Sequence, residues 1–294
     1  MQVAASLDRL VVRLERIESF DKLSDAVAAV VRRLVPSGVV EDAASGVPLA
    51  HPLHPLLVPV PIGAWASAVA LDAVGADPKA TRTVVGIGVL GAVPAAYTGA
   101  SDWLSTTGPE RRIGSFHAVA NSIALGLQSA SWWVRRSNGS RGRGAALSIA
   151  AFATTGVAGW LGGHLAHALG VGVDTTVFQH LPDEWTDTVT TAEVGDGLVR
   201  YDVDGVPIVL FRDDGRIVAL ADRCTHRGGP LHEGTLDNGC VTCPWHGSVF
   251  DGDGNVRSGP ATRPQPRLDV RVVDERVQVR LDSGRTLRIN PVGH

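Results

Sequence analysis

Cys224-Thr225-His226-Arg227-Gly228-Gly229-Pro230-Leu231 and Cys243-Pro244-Trp245-His246-Gly247-Ser248-Val249-Phe250-Asp251, with sixteen residues between His226 and Cys243, decide the reading of this chain. Each stretch supplies one cysteine and one histidine, so together they offer two thiolates and two imidazoles. A single zinc ion accepts such a set as a tetrahedral structural site. A pair of irons accepts it as well, with both thiolates on one metal and both imidazoles on its neighbour. Gly228, Gly229 and Gly247 flank the histidines. Glycines beside ligands let backbone N–H groups approach and point at sulfur, including bridging sulfides that a zinc knuckle lacks. The flanks favour the iron pair and leave zinc as the alternative.

Outward from these loops the pattern is that of strands. Residues 198–221 alternate apolar and polar, with turn pairs at Asp204-Gly205 and Asp214-Gly215. Residues 268–281 repeat the period. Half-buried antiparallel strands read this way. The expectation is a small all-β domain over 188–294, with both loops at one end.

The two loops, C-T-H-R-G-G-P-L and C-P-W-H-G-S-x-F-D, resemble those of the Rieske [2Fe–2S] family, and Ser258-Gly259-Pro260-Ala261 resembles its proline loop. The resemblance covers about residues 187–290. It implies a [2Fe–2S] cluster held by Cys224, Cys243, His226 and His246. High-potential members carry a second cysteine in each loop, forming a disulfide; here Gly229 and Trp245 hold those places. Ser248 stands where the family has a cluster-supporting serine, but Phe250 stands where it has a tyrosine. Losing a hydrogen bond to sulfur lowers the potential. The loops are therefore more similar to Rieske-type ferredoxins, with a potential expected below the high-potential class. Cys240, the third cysteine, reads as a buried strand residue.

The rest of the chain has a different composition. Of 294 residues 44% are hydrophobic and the net charge is −3, which leaves no bulk charge demanding nucleic acid. Residues 1–36 are charged with apolar positions at helical spacing (Leu7, Leu10, Val11, Leu14, Ile17, Phe20, Leu23, Val27, Val30, Val31, Leu34). They predict surface helices packed on the next domain, or a self-association element that makes a homo-oligomer through 1–35. Residues 50–173 hold four apolar stretches: Leu56–Leu71, Thr83–Ser101, Ile113–Val134 and Gly144–Val173. A crossing helix needs about 20 mainly apolar residues. The expected fold is multidomain: an all-α four-helix transmembrane bundle, a linker over 174–187, then the all-β Rieske domain. Gly159 and Gly163 make a weak small-xxx-small step. Trp132 and Trp133 suit interfacial anchors. The segment His51-Pro-Leu-His-Pro-Leu-Leu-Val-Pro-Val-Pro-Ile-Gly63 resembles a family of four-helix bacterial membrane proteins of undefined function.

Up-and-down topology puts the 135–143 loop, with Arg135, Arg136, Arg141 and Arg143, on one side with Lys79 and Arg82. The positive-inside rule then favours an extracytoplasmic Rieske domain on a multi-pass protein of the cell membrane. The same alternation brings His51, His54, His117, His164 and His167 to one leaflet. Imidazoles on facing helices suit haem b, a quinone or proton relay, or simple helix packing. The function expected is a membrane-anchored carrier that passes single electrons, with proton coupling through its imidazole ligands, between a membrane or soluble donor and an unnamed acceptor; the partners expected are the lipid bilayer and a redox protein or quinone. A quinol-oxidising enzyme with haem or quinone in the bundle is the first alternative, and a redox sensor the second. A terminal oxygenase, which would need a second domain with two histidines and a carboxylate for mononuclear iron, is not the expectation here.

Overall fold

A computed structural model describes residues 2–136 and 141–281, with side chains from residue 9 onward. Residues 282–294, part of the expected C-terminal domain, and the side chain of Leu7 lie outside the described residues. The chain forms two compact units: Met1–Pro36 with Pro52–Val171, and Ser37–His51 with Gly172–His294.

The first unit is helical. Its elements are α1 (Gln2–Glu15) and α2 (Asp21–Leu34), and, after α3 (Val39–Ser45) of the second unit, α4 (Leu53–Leu57), α5 (Pro59–Ala73), α6 (Pro78–Leu104), α7 (Gly108–Val134) and α8 (Arg141–His167). Asp77 caps α6 by accepting from the Lys79 N–H, and proline opens the first turn of α5, α6 and α7. Helix α5 packs on α6 and α8, and α7 packs on α6 and α8, closing an up-and-down ring of four. Among the described residues three helices are long and apolar enough to cross a membrane: Leu53–Ala73, Pro78–Leu104 and Arg141–His167. The fourth expected span lies in α7, which matches the others in length but not in apolarity. The reason is its content of Arg111, Arg112, His117, Asn121 and Gln128.

The ring is apolar on the outside. Ala68, Ala92, Ala95, Ala124, Ala151 and Ala158 are buried, while Ile87, Leu90, Val93, Ile123, Ile149 and Val157 are exposed. Small residues let helices approach where packing rather than water exclusion drives contact. At Gly88 an added Cβ would come within 2.2 Å of the Trp65 indole nitrogen. Gly159 and Gly163, by contrast, face open space, so the expected small-residue step is not a helix contact; Gly162, which meets His117, is.

One end of the ring holds a buried ion pair. The Arg135 guanidinium donates to both carboxylate oxygens of Asp72, at 2.9 and 2.5 Å, and to Ser131 at 3.0 Å. Its side chain is 1% exposed. Arg135 is therefore a packing residue and not a free loop charge. At the same end the guanidinium groups of Arg82 and Arg136 lie over the Trp132 ring, at 4.7 and 4.5 Å. The N-terminal residues form two helices lying on the ring: Val11 joins Ile113 and Leu161 in a small core, and Phe20 stacks on Phe116 at 5.0 Å.

The second unit is an antiparallel β domain. Its strands are β1 (Thr186–Thr190), β2 (Val199–Val203), β3 (Val206–Asp213), β4 (Arg216–Ala221), β5 (Thr235–Asp237), β6 (Cys240–Thr242), β7 (Val249–Phe250), β8 (Val256–Ser258), β9 (Arg267–Val273) and β10 (Arg276–Leu281). One sheet runs β1-β10-β9-β4-β3-β2 and the other β5-β6-β7-β8. The expected turns at Asp204-Gly205 and Asp214-Gly215 are two-residue hairpins with positive φ at both positions. Strand β3 alternates between two cores: Val209 and Phe211 face one, Ile208 and Leu210 the other. Cys240 opens β6 opposite Asp237, across the Asn238-Gly239 turn, so it is half-buried rather than buried.

Candidate metal centre

Residues 222–231 between β4 and the short 3₁₀ turn Leu231–Glu233 form the first loop, and residues 243–248 between β6 and β7 form the second. They are built alike. Gly228 N–H donates to the Cys224 carbonyl at 2.7 Å, and Gly247 N–H to the Cys243 carbonyl at 3.1 Å. Gly228 and Gly247 have φ of +74° and +75°, a conformation that a side chain resists. In each tight loop the backbone N–H groups turn toward the cysteine sulfur. His226 and Arg227 donate to Cys224, and Trp245 and His246 to Cys243.

The four side chains stand as two pairs. Cys224 and Cys243 touch through their sulfurs at the edge of the core formed with Phe211, Leu231 and Phe250. The His226 and His246 rings meet edge to face at 4.9 Å. Among the described residues no group of three or more Cys, His, Asp or Glu closes on a single ion. A pair of sulfurs beside a pair of rings suits two metals better than one tetrahedral zinc.

The electrostatics fit metal ligation. The hydrogen bond from Cys224, with those from the Trp245 and His246 N–H groups, lowers the Cys243 thiol to about 7 despite its burial. Cys224, hydrogen-bonded to that sulfur and buried, is pushed up. Burial, the neighbouring His246 and Arg227 lower His226 to about 3, so its ring is neutral, the form that binds metal. Its Nδ1 is buried with no hydrogen-bond partner in the protein. A buried polar atom left so is costly unless something fills the site. The donor set therefore fits a [2Fe–2S] group.

Surrounding residues hold the loops still. Gln265 accepts from the Thr225 N–H at 3.1 Å and donates to the Ala221 and Arg223 carbonyls at 2.7 and 2.6 Å. The buried Asp222 carboxylate binds the His232 ring and N–H at 2.7 and 2.8 Å. Ser248 accepts from the Ala261 N–H of the proline loop at 2.9 Å, which keeps its own O–H as a donor. Asp42, on α3, accepts from the Gly259 N–H at 2.7 Å, and the Arg263 guanidinium donates to the Ala50 carbonyl at 3.4 Å. Gln265 and Asp42 escaped the sequence reading. A Gln between two prolines and an Asp more than two hundred residues away carry no spacing signal. Gly229 is glycine because a Cβ there would lie 2.8 Å from the Cys243 sulfur and 3.1 Å from the Trp245 ring. Gly229 and Trp245 are thus packed against each other.

Among the bundle histidines, His54 and His117 lie near enough to interact electrostatically. His54 Nδ1 lies 2.8 Å from the Ala95 carbonyl, and His117 Nδ1 2.8 Å from the Ala158 carbonyl. The Asn121 amide sits 3.0 Å from His117 Nε2. His164 Nε2 reaches Glu15 at 3.1 Å. His167 is exposed, and His51 belongs to the second unit.

A β domain presenting two like-built loops, with paired thiols and paired imidazoles at one end, is an iron–sulfur protein by fold and donor chemistry. Residues 184–275 match the Rieske [2Fe-2S] domain family, and residues 50–175 match the family described as "Predicted membrane protein (DUF2231)". The anthranilate 1,2-dioxygenase ferredoxin subunit of Burkholderia cepacia is 36% identical over 25% of this chain and 68% of its own length. The chain belongs to the Rieske [2Fe–2S] family through this domain. It is also 44% identical over 68 residues to the chloroplastic chlorophyllide a oxygenase of Chlamydomonas reinhardtii, where it spans only 10% of that protein and 23% of itself. Among solved structures, the ferredoxin of carbazole 1,9a-dioxygenase from Nocardioides aromaticivorans IC177 is 24% identical over 33% of this chain and 98% of its own, at a TM-score of 0.32.

Proposed function

We propose that this protein is a membrane-anchored single-electron carrier in which Cys224 and Cys243 hold one iron of a [2Fe–2S] cluster and His226 and His246 the other. Such a cluster accepts and returns one electron at a time. The observation that carries the reading is the pairing of the donors, with a neutral His226 whose buried Nδ1 has no protein partner. Backbone N–H groups aimed at both sulfurs stabilise the thiolate form. His246 lies beside the exposed Pro244, Trp245 and Gly247, which makes its ring the edge offered to a redox partner. Trp245, 57% exposed, adds an aromatic contact of the kind that interfaces use.

The ferredoxin subunit, of which the chain covers 68%, supports a carrier working with a partner oxidoreductase. Phe250, fully buried without a hydroxyl to offer, supports a potential below the high-potential class. The three apolar helices and the match over residues 50–175 support multi-pass membrane anchoring. The cations Arg136, Arg141 and Arg143 support an extracytoplasmic β domain. His54 and His117 are read as residues that tie helices together through main-chain carbonyls, rather than as haem or quinone ligands.

Anaerobic purification in detergent, followed by EPR and by iron and acid-labile sulfide analysis, tests this. Iron and sulfide in equal amounts, a Rieske-type EPR signal on reduction and no Soret band are expected. Bound zinc without sulfide would overturn the assignment of the cluster.

A further inference from the structure

Helix α2 is amphipathic, yet it is mounted with its polar side toward the protein. The Asp21 carboxylate accepts two bonds from Arg112, at 2.6 and 2.5 Å. Asp25 accepts from Arg111 at 2.8 Å, and Ser24 is buried against Ser115 at 3.1 Å. The opposite side carries Leu23, Val27, Val30 and Leu34, spaced four, three and four apart, and these are 46–66% exposed. In water this orientation wastes the apolar face, since a soluble amphipathic helix turns that stripe to the core.

The stripe does not end at the helix. The Tyr97 hydroxyl donates to the Leu34 carbonyl at 3.0 Å, joining the C-terminal end of α2 to α6. There α6 presents Ile87, Leu90, Val93 and Tyr97 outward, all exposed. The other end of α2 is fixed at the first turns of α7, where α7 carries its charges. Lys22 and Arg33 flank the stripe on one side, placed to reach anionic headgroups while their stems lie along apolar surface. An apolar face continuous with the outward face of an apolar helix, rimmed by cations, is what a helix lying in the boundary layer of a bilayer requires.

We infer that α2 is an interfacial membrane helix: the phospholipid surface covers Leu23, Val27, Val30 and Leu34, and the ion pairs to Arg111 and Arg112 hold the helix against the bundle at that depth. The inference rests on the reading of the helical unit as a membrane domain. The test uses the full chain in vesicles of phosphatidylcholine and phosphatidylglycerol, in a Cys240→Ser background. Nitroxide labels are placed singly at Val27→Cys and Val30→Cys, at Leu90→Cys on α6, and at Asp196→Cys in an exposed loop of the β unit. Collision with oxygen reports lipid, and collision with a water-soluble nickel chelate reports water. Labels at 27, 30 and 90 are expected to favour oxygen, with the preference reversed at 196. If 90 favours oxygen while 27 and 30 behave like 196, α2 is not interfacial and the inference is overturned. Dipolar broadening at 27 and 30 would also overturn it, by showing that a second copy covers the stripe. If 90 itself behaves like 196, the membrane reading fails and the inference falls with it.

Discussion

The two units bury opposite kinds of residue. In the β unit the fully buried side chains are large: Phe211, Phe250, Ile208, Leu210, Leu220, Leu231 and Leu268. In the helical ring the buried positions are mostly alanine and polar groups, among them Gln128, Ser131, Ser148 and Arg135, with Val85, Leu104, Ile113 and Leu161 beside them, while Ile87, Leu90, Val93, Ile123, Ile149 and Val157 face outward. The β unit is assembled by removing apolar area from water. The ring gains nothing from doing so if its surroundings are hydrocarbon, and is held by close packing and internal polar bonds instead. One chain thus contains two solutions to folding, each matched to its solvent.

The contrast can be broken most directly at the metal centre. Cys243→Ser is expected to abolish the iron–sulfur absorption and EPR signal, yet the aliphatic cores should keep the β unit folded. Far-UV circular dichroism and protease resistance read this; a variant that unfolds would mean that metal, rather than water exclusion, holds the β unit together. The next largest effect is expected in the ring. Arg135→Ala strands the Asp72 carboxylate, and breaking a buried pair costs about 3–5 kcal/mol. The double variant Arg135→Met with Asp72→Leu should recover most of that in detergent unfolding. A wholly tolerated Arg135→Ala would remove polar bonding from the account of the ring.

Leu220→Ala in the β core should cost about 2–5 kcal/mol. Leu90→Ala, on the outer face of α6, should cost less than about 0.5 kcal/mol. Denaturant titrations that reversed this order would invert the comparison. The smallest effect concerns acid. Burial pushes the Asp251 carboxyl up, but the Asn255 side chain, the Asn255 and Asp253 N–H groups and Arg257 more than offset this, and it titrates below the usual range. Its contribution is full above the ordinary carboxylate value of about 4 and is lost as pH falls through the lowered one. Asp251→Asn should cost about 1 kcal/mol at neutral pH and flatten the acid limb of the stability curve.

The ligand loops were legible because their chemistry is local: each histidine stands two or three residues from its cysteine, with glycine beside it. The hairpins were legible for the same reason, since Asp-Gly pairs announce their turn type. What escaped depends on the third dimension. Periodicity revealed the stripe Leu23, Val27, Val30 and Leu34 but not which solvent it meets. The uncharged run in α7 showed length and concealed how much of the surface is amide, imidazole and hydroxyl. Arg135 read as a loop charge because its partner Asp72 lies sixty-three residues earlier. Gly159 and Gly163 had the right spacing on the wrong side of their helix.

Residues 37–51 carry a consequence beyond their contact with the proline loop. They precede the helical ring in the chain, yet they fold with the residues that follow it. A fragment cut at the start of the strands would therefore lose Asp42 together with the helix that carries it.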